Sequence, residues 1–254
     1  MSAQKRTPVK REPRKEKIVE HTLTSSKKAA KTAELKPHQK PVANFLREND
    51  ISILLSGAGC SKDFVQMFRA IEGVKNKEFE KIIITKPIKE LGQSVGFLPG
   101  LDEKFDPYLK SFYDSIDKIV GKEHSNAIKA KVQFEHIGFQ RGNTFPEHSV
   151  IILSEVQNMT CHEAISYVSR LPESSKLFVN GDWMQSDLGM KSGLNDFLEC
   201  MSGIDGVGIA LLDPKIHQMR RKIINDIAEN YLKVLKRSGK YFQLDKGKFD
   251  YIEL

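Results

Sequence analysis

The sequence predicts an α/β fold in which a mostly parallel sheet carries helices on both faces. Short apolar runs alternate with helix-compatible segments at least five times along the chain, as in consecutive strand-helix units. Several of these runs are continuously apolar, which is typical of strands that are buried on both sides. At 254 residues the chain suits one such domain with extensions at its ends.

The predicted strands and helices follow one another in a simple order. Strands are expected at residues 51–55, 81–85, within 132–138, and at 149–154, 176–180 and 206–212. Helices are expected at 37–46, 64–71, from Pro107 onward, and at 160–170, 194–201 and 215–236. We predict three regions: a basic disordered arm over 1–35, the α/β domain over 36–236, and a polar extension over 237–254 that hangs off the core.

The N-terminal arm carries the net charge of the chain. Residues 1–40 hold 12 of the 40 Lys and Arg residues and 4 of the 33 Asp and Glu residues, which leaves 28 basic and 29 acidic residues elsewhere. The arm has too few apolar residues to fold alone. A basic disordered arm attracts nucleic acid through counterion release, and a purely solubilising tail is the alternative.

Cysteine usage and hydropathy indicate the compartment. Cys60, Cys161 and Cys200 are odd in number and far apart in sequence, which argues against a disulfide framework or a zinc site and suits a reducing cytosol. No apolar run approaches the length of a membrane span, and the N-terminus lacks the hydrophobic stretch of a secretory signal. We therefore expect a cytoplasmic protein with no membrane partner.

A glycine-containing turn between the first strand and the next helix carries the clearest local motif. Residues 56–63 read SGAGCSKD, close to the phosphate-binding pattern G-x-x-x-x-G-K-[ST], in which backbone amides and the lysine hold phosphates and the hydroxyl holds Mg²⁺. Serines replace both glycines, and an aspartate replaces the final Ser/Thr. A plain strand-to-helix turn is the alternative. The candidate nucleotide-binding residues are Ser56, Gly57, Ala58, Gly59, Cys60, Ser61, Lys62 and Asp63.

Carboxylates mark the ends of two later strands. Glu155 follows strand 149–154, and Asp182 follows strand 176–180. Acidic residues at the C-terminal ends of parallel strands face the crevice where α/β sheets bind ligands. An ordinary carboxylate near a helix, or an ordinary Gly-Asp turn, is the alternative for each.

Further motifs appear in a fixed order along the chain. Residues 85–100 with 106–108 read TKPIKELGQSVGFLPG and DPY, and 141–145 read RGNTF. Residues 151–158 read IILSEVQN, and 181–187 read GDWMQSD. Over roughly residues 35–232, these motifs resemble the PhoH-like family of P-loop ATPases, whose core is similar to the first motor domain of superfamily-one helicases.

The resemblance implies a RecA-like P-loop NTPase core that uses ATP and Mg²⁺. It implies that Lys62 contacts the phosphates, that Glu155 polarises the attacking water and that Gln185 senses the γ-phosphate. Gln39 would read adenine, with an exposed polar helix residue as the alternative. It also implies a homo-oligomeric ring, for example a hexamer, that acts on RNA or single-stranded nucleic acid. Compact members occur in phages as well as bacteria, so the host cytoplasm is the expected location for a phage-encoded chain.

Two departures from the family pattern concern the metal. The family has Asp at the position of Ser154 and Ser/Thr at the position of Asp63, and these positions approach one ion from opposite sides. We therefore hypothesise that Asp63 and Ser154 preserve one carboxylate and one hydroxyl as metal ligands, with their places exchanged. Additive effects of restoring each residue would contradict this, because neighbours that share an ion should couple.

Decay of the site is the competing interpretation. Ser61 lies where the loop commonly needs the backbone freedom of glycine, and Lys86 replaces an arginine that could bind phosphate in bidentate fashion. The trans-acting arginine is not cleanly matched, with Arg141, Arg220 and Arg221 as candidates. The second function hypothesis is accordingly a pseudo-ATPase that binds nucleic acid or assembles a ring without turnover.

Overall fold

The computed structural model describes residues 32–87, 101–136, 144–217, 219, 221–239 and 241–254. Within these residues, seven parallel strands form one sheet in the order β3-β2-β4-β5-β1-β6-β7. The strands are β1 Ile51–Leu55, β2 Lys81–Lys86, β3 Val132–His136, β4 Ser149–Leu153, β5 Lys176–Gly181, β6 Val207–Leu211 and β7 Ile252–Glu253. The predicted parallel α/β fold is confirmed.

Eight α-helices connect the strands in the described residues and cover both faces of the sheet. They are α1 Gln39–Glu48, α2 Lys62–Lys75, α3 Leu101–Val120, α4 Lys122–Lys129, α5 Cys161–Val168, α6 Leu194–Met201, α7 Pro214–His217 and α8 Lys222–Arg237. The described residues contain no helix that is long and apolar enough to cross a membrane.

The sheet separates two hydrophobic cores because alternate residues of each strand point to opposite faces. In β4, Val150 and Ile152 join the core under α1 to α4, whereas Ile151 and Leu153 join the core under α5 and α6. All four side chains are fully buried. Burying each of these side chains stabilises the folded state by about 1.5 to 3 kcal/mol relative to leaving it exposed. A sheet that is covered on both faces therefore favours strands that are apolar at every position.

The C-terminal segment packs against the sheet, which corrects the prediction that it hangs off the core. Phe242, Leu244 and Phe249 are buried in the second core, and β7 pairs with β6 at the edge of the sheet. Most of its other residues are polar and exposed, whereas Tyr241, Tyr251 and Leu254 are half-buried. Three well-spaced apolar side chains and one short strand are enough to attach it.

Two predicted helices differ in their limits. The helix expected from Pro107 begins at Leu101, so proline does not mark its first turn. The helix expected over 215–236 is divided into α7 and α8. Between them, the backbone amide of Met219 donates to the carbonyl of Gly59 at 3.1 Å, and the interrupted helix therefore contacts the glycine-containing turn.

The cysteines are free thiols, but two of them are neighbours in space. Cys161 begins α5 and lies close to Cys200 near the end of α6. Burial, followed by this neighbouring thiol, raises the pKa of Cys161. Distance along the sequence therefore did not predict distance in the fold.

Candidate functional site

The C-terminal ends of three adjacent strands enclose the candidate site. Strands β4, β5 and β1 lie side by side, so the segments that follow them meet at one edge of the sheet. They enclose a cleft of about 150 Å³. The cleft is lined by Ala58, Gly59, Cys60, Ser61, Lys62, Asp63, Glu155, Asn180, Asp182 and Gln185. The structure thus brings most of the sequence-predicted residues into one place.

The turn after β1 has the backbone of a ligand-binding loop. Gly59 has a φ of 92°, and Ser61 has φ 60° and ψ 23°, in the left-handed region. A non-glycine residue in that region is strained by about 1 to 3 kcal/mol. The expectation that position 61 calls for glycine-like freedom agrees with this conformation.

Lys62, the first residue of α2, keeps its ammonium group inside the turn. Its Nζ donates to the carbonyl of Ser56 at 3.0 Å, to the Ser56 Oγ at 2.8 Å and to the carbonyl of Gly57 at 3.3 Å. The Ser56 hydroxyl in turn donates to the carbonyl of Gly57 at 2.9 Å. A glycine at position 56 could not supply the second of these acceptors, so Ser56 contributes to holding the lysine.

Asp63 and Ser154, the two residues that depart from the family pattern, contact each other directly. The Ser154 Oγ donates to Asp63 Oδ1 at 3.0 Å. The Nδ2 of Asn180 lies 2.9 Å from the same carboxylate oxygen, 3.1 Å from the Ser154 hydroxyl and 2.7 Å from the Gln66 Oε1. Sequence reasoning missed Asn180 and Gln66. The position of Asn180 near the end of β5, just before Gly-Asp, was the available signal.

Glu155 lies at the end of β4 with a strained backbone. Its φ of 62° and ψ of 40° are left-handed, which is uncommon for a residue with a side chain. Its carboxylate accepts from the Nε2 of buried Gln157 and lies 3.9 Å from the Lys86 Nζ. The Gln157 Oε1 accepts from the backbone amide of Asp182 at 2.9 Å. Gln157 therefore links the carboxylate of Glu155 to the backbone of Asp182.

Asp182 orients Gln185 towards the cleft. Its carboxylate accepts from the backbone amide of Met184 at 3.0 Å and from the Gln185 Nε2 at 2.7 Å. Burial raises the pKa of Asp182, and the positive charge of Lys62 opposes this. Asp182 is therefore the N-cap of the short 3₁₀ turn Trp183–Gln185, as well as a charge facing Lys62.

Gln39 lies outside this cleft. It is buried, contrary to the alternative of an exposed polar residue, and its Oε1 accepts from the backbone amide of Lys36 at 3.0 Å. Lys36 and Gly59 both contact Met219, which places Gln39 near the turn. Its proposed contact with adenine stays a prediction.

The cleft fits a phosphate-bound Mg²⁺ better than a metal held by protein alone. The described residues contain no group of three or more His, Cys, Asp and Glu side chains able to hold an ion. Magnesium in nucleotide sites typically takes one or two carboxylates and completes its octahedron with phosphates and water. Asp63, with the hydroxyl of Ser154 beside it, meets that requirement.

Some sequence-predicted features lie outside the described residues. These are the basic arm up to residue 31, residues 88–100 of the most distinctive motif, and the candidate arginines Arg141 and Arg220. Arg221, the remaining candidate, is exposed at the start of α8.

Comparison with known proteins places the chain in a family. The family described as PhoH-like protein matches residues 32–232. The PhoH-like protein of Bacillus subtilis (strain 168) is 32% identical over 221 residues, covering 85% of this chain and 69% of the relative. The PhoH-like protein of Mycobacterium tuberculosis (strain ATCC 25618 / H37Rv) is 31% identical over 199 residues, covering 76% of this chain and 56% of the relative.

Protein PhoH of Escherichia coli (strain K12) is 36% identical over 159 residues, covering 60% of this chain and 45% of the relative. The chain thus spans between 45% and 69% of the length of these relatives. The matched region includes every strand that carries a residue of the cleft. By its match to the family over residues 32–232 and its identity to these relatives, the chain belongs to the PhoH-like protein family.

Proposed function

We propose that this protein binds ATP with Mg²⁺ and hydrolyses it while acting on RNA or another single-stranded nucleic acid. The observation that supports this is one cleft at the ends of β1, β4 and β5 that holds Lys62, Asp63, Glu155 and Gln185 together. A cation, a metal-binding carboxylate, a candidate base and a polar sensor are the parts that phosphoryl transfer to water needs.

Each residue has a distinct role in this proposal. Lys62 exchanges its bonds with Ser56 and Gly57 for the phosphate oxygens and offsets their charge. Glu155 accepts the proton of the attacking water, and the hydrogen bond from Gln157 fixes its carboxylate. Gln185, fixed by Asp182, contacts the terminal phosphate. When bound, Mg²⁺ would neutralise charge that develops on the phosphates.

The exchange hypothesis is part of this proposal. Asp63 and Ser154 face each other at 3.0 Å, as two groups that approach one ion should. Asn180 donates to the carboxylate of Asp63 and lies within 3.1 Å of the Ser154 hydroxyl, which holds both groups in place. One carboxylate and one hydroxyl are therefore available side by side, with their places exchanged relative to the family pattern.

A pseudo-ATPase that binds nucleic acid without turnover is the second candidate. The strained backbone of Ser61 and the bonds of Lys62 to its own turn favour it, because the strain destabilises the loop and the lysine bonds must be broken when phosphate binds. In either case, the basic arm adds affinity for nucleic acid that falls with salt. A homo-oligomeric ring remains part of the proposal, since a neighbouring subunit would supply the trans-acting arginine that phosphoryl transfer uses.

Calorimetric titration with ATP and Mg²⁺, combined with steady-state hydrolysis on the same sample, tests the proposal. We expect binding and turnover in the native chain, loss of binding in Lys62→Ala, and binding without turnover in Glu155→Gln. Lys40→Ala is a matched control, since Lys40 is an exposed lysine on α1 outside the cleft.

The same measurements with single-stranded RNA separate the two candidates. Stimulated turnover that vanishes in Lys62→Ala supports the ATPase. Salt-sensitive RNA binding that is indifferent to ATP, without turnover in any sample, would refute it and favour the pseudo-ATPase.

A further inference from the structure

A second, larger concavity adjoins the nucleotide cleft. A cavity of about 470 Å³ lies next to Glu155 and Gln185, and another of about 520 Å³ adjoins it. Trp183 and Tyr241 line both, so the two form one continuous feature, which we call the aromatic groove. Each part falls within the range of about 300 to 1,000 Å³ that is usual for ligand sites.

The groove presents aromatic side chains that the two cores leave partly uncovered. Trp183 begins the 3₁₀ turn after β5, Tyr231 lies on α8, and Tyr241 follows α8. Tyr231 is 58% exposed, and Trp183 and Tyr241 are half-buried. Large amphipathic rings at the surface of a groove are the groups on which unpaired bases stack.

The charges of the groove suit a polyanion. Lys236 and Lys246 line the larger cavity, whose described lining includes no carboxylate; the Lys246 Nζ lies 3.7 Å from the exposed carboxylate of Glu253 outside it. The Lys236 Nζ lies 5.3 Å from the ring centroid of Tyr241, so a cation and a ring share this wall. In the smaller cavity, Lys86 lies 3.9 Å from Glu155, whereas Asp187 adds a second negative charge. The positive end of the groove therefore lies away from the catalytic carboxylate.

The groove is mechanically connected to the cleft through one short turn. Trp183 and Gln185 belong to the same 3₁₀ turn, which Asp182 caps through the amide of Met184. Asp182 also holds the Gln185 side chain at 2.7 Å. A ligand that shifts Trp183 must therefore act on the segment that positions Gln185.

We propose that the aromatic groove binds single-stranded nucleic acid, with bases stacked on Trp183 and Tyr241 and phosphates near Lys236 and Lys246. The class of ligand, single-stranded nucleic acid, comes from the proposed function, and the inference adds the place where that ligand binds. Much of the groove lies beyond residue 232, where the family match ends. This wall is therefore supplied by the end of α8 and the segment that follows it.

Trp183 is the only tryptophan of the chain, which makes the test direct. Its emission is measured during titration of the full chain with oligouridylate and, separately, oligothymidylate, without ATP. The anisotropy of a labelled oligonucleotide gives saturation independently. We expect quenching of Trp183 that tracks saturation, because base stacking places a nucleobase against the indole.

Substitutions separate stacking from general charge attraction. Tyr241→Leu should raise the Kd about five- to hundredfold for a lost stacking contact, with an unchanged salt slope. Tyr113→Leu is the matched control, because Tyr113 also lies beneath a lysine, with the Lys129 Nζ 5.5 Å from its ring, but on α3. It should leave the Kd unchanged.

The outcomes are distinct from those of the proposed ATPase. Quenching by uridylate alone assigns the groove to RNA, and equal quenching by both oligonucleotides assigns it to single strands in general. Absence of turnover with quenching retained would refute the ATPase and leave the groove. Three results would overturn the inference. They are unchanged Trp183 emission at saturation, equal Kd values for Tyr241→Leu and Tyr113→Leu, and emission that varies with protein concentration and not with the bound fraction of oligonucleotide.

Discussion

The exchange of Asp63 and Ser154 makes a quantitative prediction about stability. Ser154→Asp places a second carboxylate beside Asp63, where the present oxygens are 3.0 Å apart. Two unit charges about 4 Å apart repel by about 4 kcal/mol near a protein surface, and exposure of Asp63 reduces this to about 1 to 3 kcal/mol. Asp63→Thr alone removes the acceptor of Ser154 and Asn180, which costs about 1 to 2 kcal/mol.

The double variant, which combines Asp63→Thr with Ser154→Asp, should recover most of this loss. The introduced threonine then supplies the hydroxyl and the introduced aspartate supplies the carboxylate, so the free energy of unfolding should return to within about 1 kcal/mol of the native value. The coupling energy should reach about 2 to 3 kcal/mol, at the upper end for residues in contact. Urea denaturation followed by Trp183 emission, first without ligand, measures it.

Two further measurements separate the effect of the added charge from the effect of the metal. Ser154→Ala removes the hydroxyl without adding charge, so its cost should stay near about 1 kcal/mol. The urea denaturation of the native chain, both single variants and the double variant is then repeated with ATP and Mg²⁺. The double variant should still be stabilised by the ligand, whereas each single variant should lose this stabilisation. Additive losses in both conditions would refute the exchange.

Three other predictions concern the loop, a buried histidine and a close contact. Ser61→Gly should stabilise the protein by about 0.5 to 1 kcal/mol and tighten ATP binding. The control Lys77→Gly, at φ 62° in an exposed turn, should stabilise the protein similarly without changing the affinity for ATP. Equal changes in ATP affinity for the two variants would contradict strain in the loop. Burial lowers the pKa of His217 from the ordinary 6.5, and a hydrogen bond to the backbone of Leu254 opposes this shift. The unfolded state therefore binds more protons than the folded state, and the free energy of unfolding should fall as the pH drops through about 6.5. Urea denaturation between about pH 7.5 and 5.5 should show that His217→Gln lacks this decline, and parallel curves would contradict it. A Cβ at Gly193 would overlap the backbone of Cys161, so Gly193→Ala should lower the free energy of unfolding by about 2 to 4 kcal/mol. Gly247→Ala, where a Cβ would make only ordinary contacts, is the control. Equal urea midpoints for the two variants would contradict the overlap.

The amino-acid sequence by itself determined the parallel sheet and the identity of most residues around the cleft. Continuous apolar runs such as β4 are stable only when both faces are covered, so pattern alone predicted the layers. Lys62, Glu155 and Gln185 follow or precede strands and helices at fixed offsets, and parallel strands bring such ends together. Strand ends and the motif resemblance together were sufficient to name these residues, and their roles came from the resemblance.

The tertiary structure alone decided the partners of those residues. Asn180 and Gln157 cross-link loops that are separated by 25 or more positions, and nothing in their local sequence specifies the partner. The same holds for the C-terminal segment, whose three buried apolar residues are too sparse to form a recognisable pattern. Hydrogen bonds and packing between distant segments depend on how the whole sheet is assembled, because side-chain contacts form only after the strands have been ordered and placed in register.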